Sequence, residues 1–83
     1  MYIVMLRSSA AKELSKLSEA NRRQVVVAID QLATDPRPHG VKKMAGAEAW
    51  RVRVGDYRVI YSIVDQQLVV EVIKIGHRRD VYH

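Results

Sequence analysis

Eighty-three residues with 14 Lys+Arg, 9 Asp+Glu, no cysteine and 48% hydrophobic content describe one small domain, residues 1–83, with a formal net charge of +5. A chain this short has no room for a nucleotide-binding domain beside a substrate domain, and without thiols it can form neither a disulfide scaffold nor a thiolate zinc site. No stretch approaches the roughly 18 consecutive apolar residues of a membrane helix, and the apolar start, residues 1–6, has neither a basic leader nor a cleavage site, so a cytoplasmic location with no membrane contact is expected.

Tyr2 to Leu6 reads as a short strand. Ser8 or Ser9 can cap a helix that runs through Leu17, with Ala10, Leu14 and Leu17 at helical spacing. Ser18 is placed to cap a longer helix ending near Thr34, whose stripe is Val25, Val26, Ala28, Ile29, Leu32 and Ala33. Asp35-Pro36-Arg37-Pro38-His39-Gly40 breaks the helix and divides a helical front from a β-rich back. Trp50-Arg51-Val52-Arg53-Val54 alternates strictly, as a strand with one buried face does. Gly55-Asp56 is a two-residue hairpin turn, Tyr57 to Val64 the returning strand, Asp65-Gln66-Gln67 a further turn, and Leu68 to Ile75 the last strand. The expected fold class is α+β, in the order β-α-α-β-β-β: one twisted antiparallel sheet with a two-helix hairpin on one face.

The charge is unevenly spread. Residues 1–36 carry a net of +1 and residues 37–83 a net of +4, a field that attracts polyanions. The tight turn fixes the register, so Arg53 should oppose Arg58, and Arg51, two residues earlier, should share their face. Trp50, Val52, Val54, Tyr57, Val59, Tyr61 and Ile63 fall on the other face, the bed for the helices. Like charges directly opposite each other destabilise a sheet. The arginines either splay toward Asp56, Glu71 or Asp80, or hold an anion between them. Three on one face, with Arg78 and Arg79 arriving just past the last strand, favour a phosphate site. Ile60 and Val64 should share that face, as part of a partner surface or under the loop at 42–49. Lys42 and Lys43 flank a glycine-bearing loop that either touches a nucleic-acid backbone or is simply solvated. In the tail, His77 is the residue type suited to proton transfer, or is simply a solvent-exposed imidazole, and Tyr82 can stack on a base, orient a hydroxyl or close the core edge. The histidines lack ligand spacing, so no metal or other cofactor is expected.

The strings Lys42-Lys43-Met44-Ala45-Gly46, Trp50 through Tyr61 (WRVRVGDYRVIY) and Ile75 through Tyr82 (IGHRRDVY) resemble the RelE branch of the RelE/ParE toxins over essentially the whole chain. The resemblance implies a RelE-like fold and the toxin of a type II toxin–antitoxin pair. Its activity would be metal-independent endonucleolytic cleavage of mRNA in the ribosomal A site, with 16S rRNA contacts. A RelB-like antitoxin would wrap the toxin, and operator DNA would be reached only through that antitoxin. By position, the implied catalytic residues are Arg53, Arg58, His77, Arg78 and Tyr82, with Arg51, Lys42, Lys43 and Arg79 on the RNA. Well-studied members carry lysine where Arg51, Arg53 and His77 stand. Guanidinium is a poor proton carrier, which leaves His77 to take over part of the proton transfer as base or acid. A ParE-like inhibitor of DNA gyrase and an inactive antitoxin-binding homologue are the alternatives. The tail arginines and Tyr82 favour the nuclease.

Overall fold

The computed structural model describes residues 1–46 and 48–79. Strand β1 (Ile3–Leu6) leads into helices α1 (Ser8–Ser15) and α2 (Glu19–Thr34), then strands β2 (Lys42–Lys43), β3 (Trp50–Val54), β4 (Tyr57–Val64) and β5 (Val69–His77), with a single 3-10 turn at Asp65–Gln67. The sheet order is β1-β5-β4-β3-β2. This is the expected α+β arrangement of two helices on one sheet, with a difference in the sheet. β1 runs parallel to β5, so the five-stranded sheet is mixed rather than wholly antiparallel. The two helices carry the chain from β1 to β2 at the opposite edge of the sheet, and the following hairpins bring it back as β5, alongside β1 and in the same direction.

Local chemistry accounts for the helix ends. The Ser18 hydroxyl accepts the Asn21 N–H at 3.3 Å and caps α2 as its position suggests. α1 has no side-chain cap; its N-cap is Arg7, extended because its N–H is still bound to the Val72 carbonyl at 2.9 Å. The strand thus feeds the helix directly, leaving no capping position for Ser8 or Ser9. At the β3–β4 turn Gly55 has φ +59 and Asp56 is not in the left-handed region, the pattern of a II′ turn.

The buried core joins Ala10 of α1 and Val25, Ile29 and Leu32 of α2 to Val59 and Tyr61 of β4 and Val70, Val72 and Ile75 of β5. Trp50, Val52, Val54, Tyr57 and Ile63 pack on the same side, the face that alternation assigned to them. The α2 stripe narrows to Val25, Ile29 and Leu32, while Val26 is partly exposed. β4 and β5 pair with a one-residue slip: Ile60 faces Lys74, and the next residue, Tyr61, faces Val72. Ile73 is the extra residue of this bulge, and beyond it the faces of β5 exchange.

Candidate functional site

The hairpin register is the expected one, with Val54 opposite Tyr57, Arg53 opposite Arg58 and Val52 opposite Val59. Arg51 pairs with Ile60 and Lys42 with Arg51, so Lys42, Arg51, Arg53 and Arg58 lie on the sheet face away from the helices. Together with Gly40 they line a cavity of about 200 Å³. That is below the roughly 300–1,000 Å³ of small-molecule sites, so the space suits a compact anion better than a whole nucleotide.

Arg58 is the unusual member, since only 5% of it is exposed. Its one hydrogen bond within the described residues runs from Nη1 to the Tyr57 carbonyl at 3.1 Å. Neither Arg58 nor Arg53 forms an ion pair with Asp56 or Glu71. A buried guanidinium facing a second cation, without a carboxylate among the described residues, is stabilised once an anion enters. Several parallel N–H donors suit the bidentate binding of phosphate oxygens.

Gly40 was not singled out by sequence reasoning. It reaches the cavity at the end of the proline loop with φ +89, a conformation that the Pro38-His39-Gly40 run could have suggested. The loop is pinned at several points. The buried Tyr61 hydroxyl donates to the Pro36 carbonyl at 2.7 Å, and burial pushes its pKa up to about 12. Arg37 grips Asp65 with two hydrogen bonds, 3.2 and 2.8 Å, while the Tyr2 hydroxyl donates to the same carboxylate at 2.5 Å. The Arg37 bond is the larger cause, and with Tyr2 it lowers the Asp65 pKa to about 2. The Arg37 guanidinium also lies over the Trp50 ring, 5.2 Å from its centroid.

The remaining candidates separate. Lys43 pairs with Trp50 in the register, which turns it to the opposite face from Lys42, and its Nζ lies 3.8 Å from Glu48. Arg78 follows β5, its N–H bound to the Asp56 carbonyl at 2.8 Å, which holds the tail beside the hairpin turn. Arg79 is exposed, and its N–H donates to His77 Nδ1 at 3.3 Å. His77 is opposite Tyr57 in the register, and the two rings meet edge to face at 5.6 Å. The structure therefore places His77 on the helix side of the sheet, away from Arg53 and Arg58. Asn21 of α2 lies on that same side, its Nδ2 3.5 Å from the Tyr57 hydroxyl. Ile60, expected on the arginine face, is there but only 8% exposed, whereas Val64 is 40% exposed. Tyr82 lies outside the described residues.

Two helices thus cover one face of a five-stranded mixed sheet, and an arginine-lined cavity opens on the other. The ParE toxin family of type II toxin–antitoxin systems (parDE) matches residues 4–82. The RelE chain in the archaeal RelE–RelB complex from Pyrococcus horikoshii superposes with a TM-score of 0.84 at 32% identity, covering 95% of this chain and 97% of that one. Toxin RelG of Mycobacterium tuberculosis is 31% identical over 98% of this chain and 95% of its own length. The mRNA interferase toxin RelE of Escherichia coli K12 is 27% identical over 93% of this chain and 83% of its own. The chain belongs to the RelE/ParE toxin superfamily, in its RelE-like branch. No helix among the described residues is long and apolar enough to cross a membrane.

Proposed function

We propose that this RelE-like toxin is a metal-independent endoribonuclease that cuts mRNA in the ribosomal A site and is neutralised by a RelB-like antitoxin. The observation that carries this reading is the buried Arg58, opposite Arg53 in a small cavity and without an ion pair among the described residues. The mRNA-interferase name of the Escherichia coli relative and the RelE–RelB complex support the activity and the partner.

In the proposed reaction a ribose 2′-oxygen attacks the adjacent phosphorus, the 5′-oxygen of the next nucleotide leaves, and a 2′,3′-cyclic phosphate results. The proton lost by the 2′-hydroxyl and the proton gained by the 5′-oxygen balance the step. Arg53 and Arg58 hold the phosphate and offset the charge that develops on its equatorial oxygens, with Arg78 closing from the tail. Lys42 and Arg51 hold the flanking backbone, and Arg79 and Lys43 make outer contacts. Arginine, which stays protonated in proteins, does not move the protons. Tyr82 is assigned proton transfer. We assign His77 to placing the tail, because its ring is on the Tyr57 side with Nδ1 engaged by Arg79.

Expression in a bacterium without the antitoxin tests this reading. Growth arrest with truncated mRNAs is expected. Arg58→Ala and Arg78→Ala should each lower cleavage by about 10²–10³, the usual cost of one transition-state donor, while still binding antitoxin. Undiminished cleavage by both variants would overturn the site. Arrest with an SOS response and intact mRNA would instead indicate ParE-like gyrase inhibition.

A further inference from the structure

A second basic surface lies outside the arginine cavity, in a groove between α1 and the free edge of β5. Its lining includes Arg7, Lys12, Glu13, Lys16, Ile73 and Lys74. β1 pairs with β5 only as far as Val72, so the later part of β5 has no strand neighbour on that side, and α1 lies along it. Glu13 holds the two together: one carboxylate oxygen accepts the Ile75 N–H at 3.1 Å, and the other is 3.5 Å from Lys74 Nζ. Arg7 is engaged by Glu71 at 3.0 Å. Both carboxylates near the groove are thus committed. Lys12 of α1 and Lys16, the residue that caps its C-terminus, are four residues apart, both line the groove and have no ion pair among the described residues. Like charges at that spacing disfavour the helix, and Glu13 cannot neutralise them.

The groove is joined to the cavity by register. Lys42, Arg51, Ile60 and Lys74 are successive partners across β2, β3, β4 and β5 and share the face away from the helices. The row spans three interstrand spacings, roughly 14 Å, longer than one phosphate group can occupy. The bulge at Ile73 allows two consecutive residues, Ile73 and Lys74, to line the groove.

We propose that this row and groove form an RNA-backbone track, in which phosphates beyond the one held by Arg53 and Arg58 pass over Lys74 to Lys12 and Lys16. The inference rests on the nuclease reading for its ligand class. The same phosphodiester chemistry could be presented by the substrate strand or by ribosomal RNA. Binding of fluorescein-labelled oligoribonucleotides of three and ten nucleotides, followed by anisotropy over a salt series, separates these sources when combined with co-sedimentation on purified ribosomes. For the substrate strand, K12A/K16A should weaken binding of the ten-mer but not the three-mer, and its log K against log salt should be shallower by about 1.4, two contacts at about 0.7 each for single strands. For ribosomal RNA, oligonucleotide binding should be unchanged and salt-sensitive co-sedimentation should weaken. In either case K12R/K16R should retain wild-type binding. A K12A/K16A protein that equals wild type in both assays overturns the proposal. These assays read binding alone: RNA binding that depends on the two lysines without cleavage refutes the nuclease and keeps the track, whereas cleavage with unchanged binding does the reverse.

Discussion

Replacing Arg58 by methionine should make the free protein more stable while destroying its anion site. The wild-type guanidinium is 5% exposed, has the Tyr57 carbonyl as its one hydrogen-bond partner within the described residues, and faces Arg53. Burial of an ion costs several kcal/mol even after relaxation, and a like charge directly opposite adds up to about 1 kcal/mol. A hydrogen bond to a charged group returns about 1.5–3 kcal/mol, which leaves a net cost of about 1–3 kcal/mol. Methionine retains most of the apolar stem and removes the charge. In a domain of this size, each kcal/mol moves Tm by about 4–8 °C, so the variant should melt roughly 4–24 °C higher in a buffer free of multivalent anions. Thermal unfolding followed by circular dichroism measures this, and a phosphate titration supplies the second half. Wild type should gain about 2.7 kcal/mol at a hundredfold excess over Kd, and Arg58→Met should gain little. A variant that melts below wild type without phosphate, or that responds to phosphate as wild type does, refutes the reasoning.

The folded pKa of Asp65, about 2, lies below the 3.8 of an ordinary aspartate, so its contribution to stability is full above about pH 4 and is lost as pH falls toward 2. Asp65→Asn should therefore melt lower at neutral pH and show a flatter Tm profile between pH 4 and 2. Tyr61 has the opposite sign: its folded pKa, about 12 against 10, gives stability that is complete below pH 10 and declines as pH rises toward 12. Tyr61→Phe should flatten that alkaline limb and cost about 1–3 kcal/mol in denaturant unfolding, because the Pro36 carbonyl loses its donor. His77→Gln should leave single-turnover cleavage on programmed ribosomes within a few-fold of wild type; a loss of the 10²–10⁴ typical of general acid–base catalysis would return His77 to proton transfer.

The hairpin was legible because its determinants are local. Gly55-Asp56 sets the turn, the turn sets the register, and strict alternation from Trp50 to Val54 then places Arg51, Arg53 and Arg58 on one face. The parallel pairing of β1 was not legible, because four residues of strand do not encode which neighbour they join. β2 is only two residues long, too short for any period to show. The side on which His77 lies depends on the bulge. Continued from Val70 and Val72 by simple alternation, β5 would place Lys74 toward the helices and Ile75 and His77 toward the arginines. One extra residue at Ile73 reverses this, placing Ile75 in the core, Lys74 in the basic row and His77 beside Tyr57. Both isoleucines are apolar, so composition does not show where the alternation slips.

That bulge also links stability to charge placement. Ile75, 1% exposed, and Val59, fully buried, are opposite each other in the row next to Arg58 and Gly76, and they join the core on the helix face of the sheet. In the row itself Gly76 is opposite Arg58 and contributes no side chain, so the space beside the guanidinium is not filled from β5. On the free edge, the bulge aims Ile75 N–H and the Lys74 ammonium at the same carboxylate, Glu13. An open strand edge is a site for unwanted pairing, and a helix laid along it is one way proteins cover such an edge. Here the covering helix also carries Lys12 and Lys16, so the element that protects the sheet is the one that extends its positive surface. The domain can hold these cations because the core beneath the sheet is continuous across β4 and β5. Removing a cation should therefore relieve repulsion without opening the fold, whereas shortening Ile75 should disturb the core and the arginine row together.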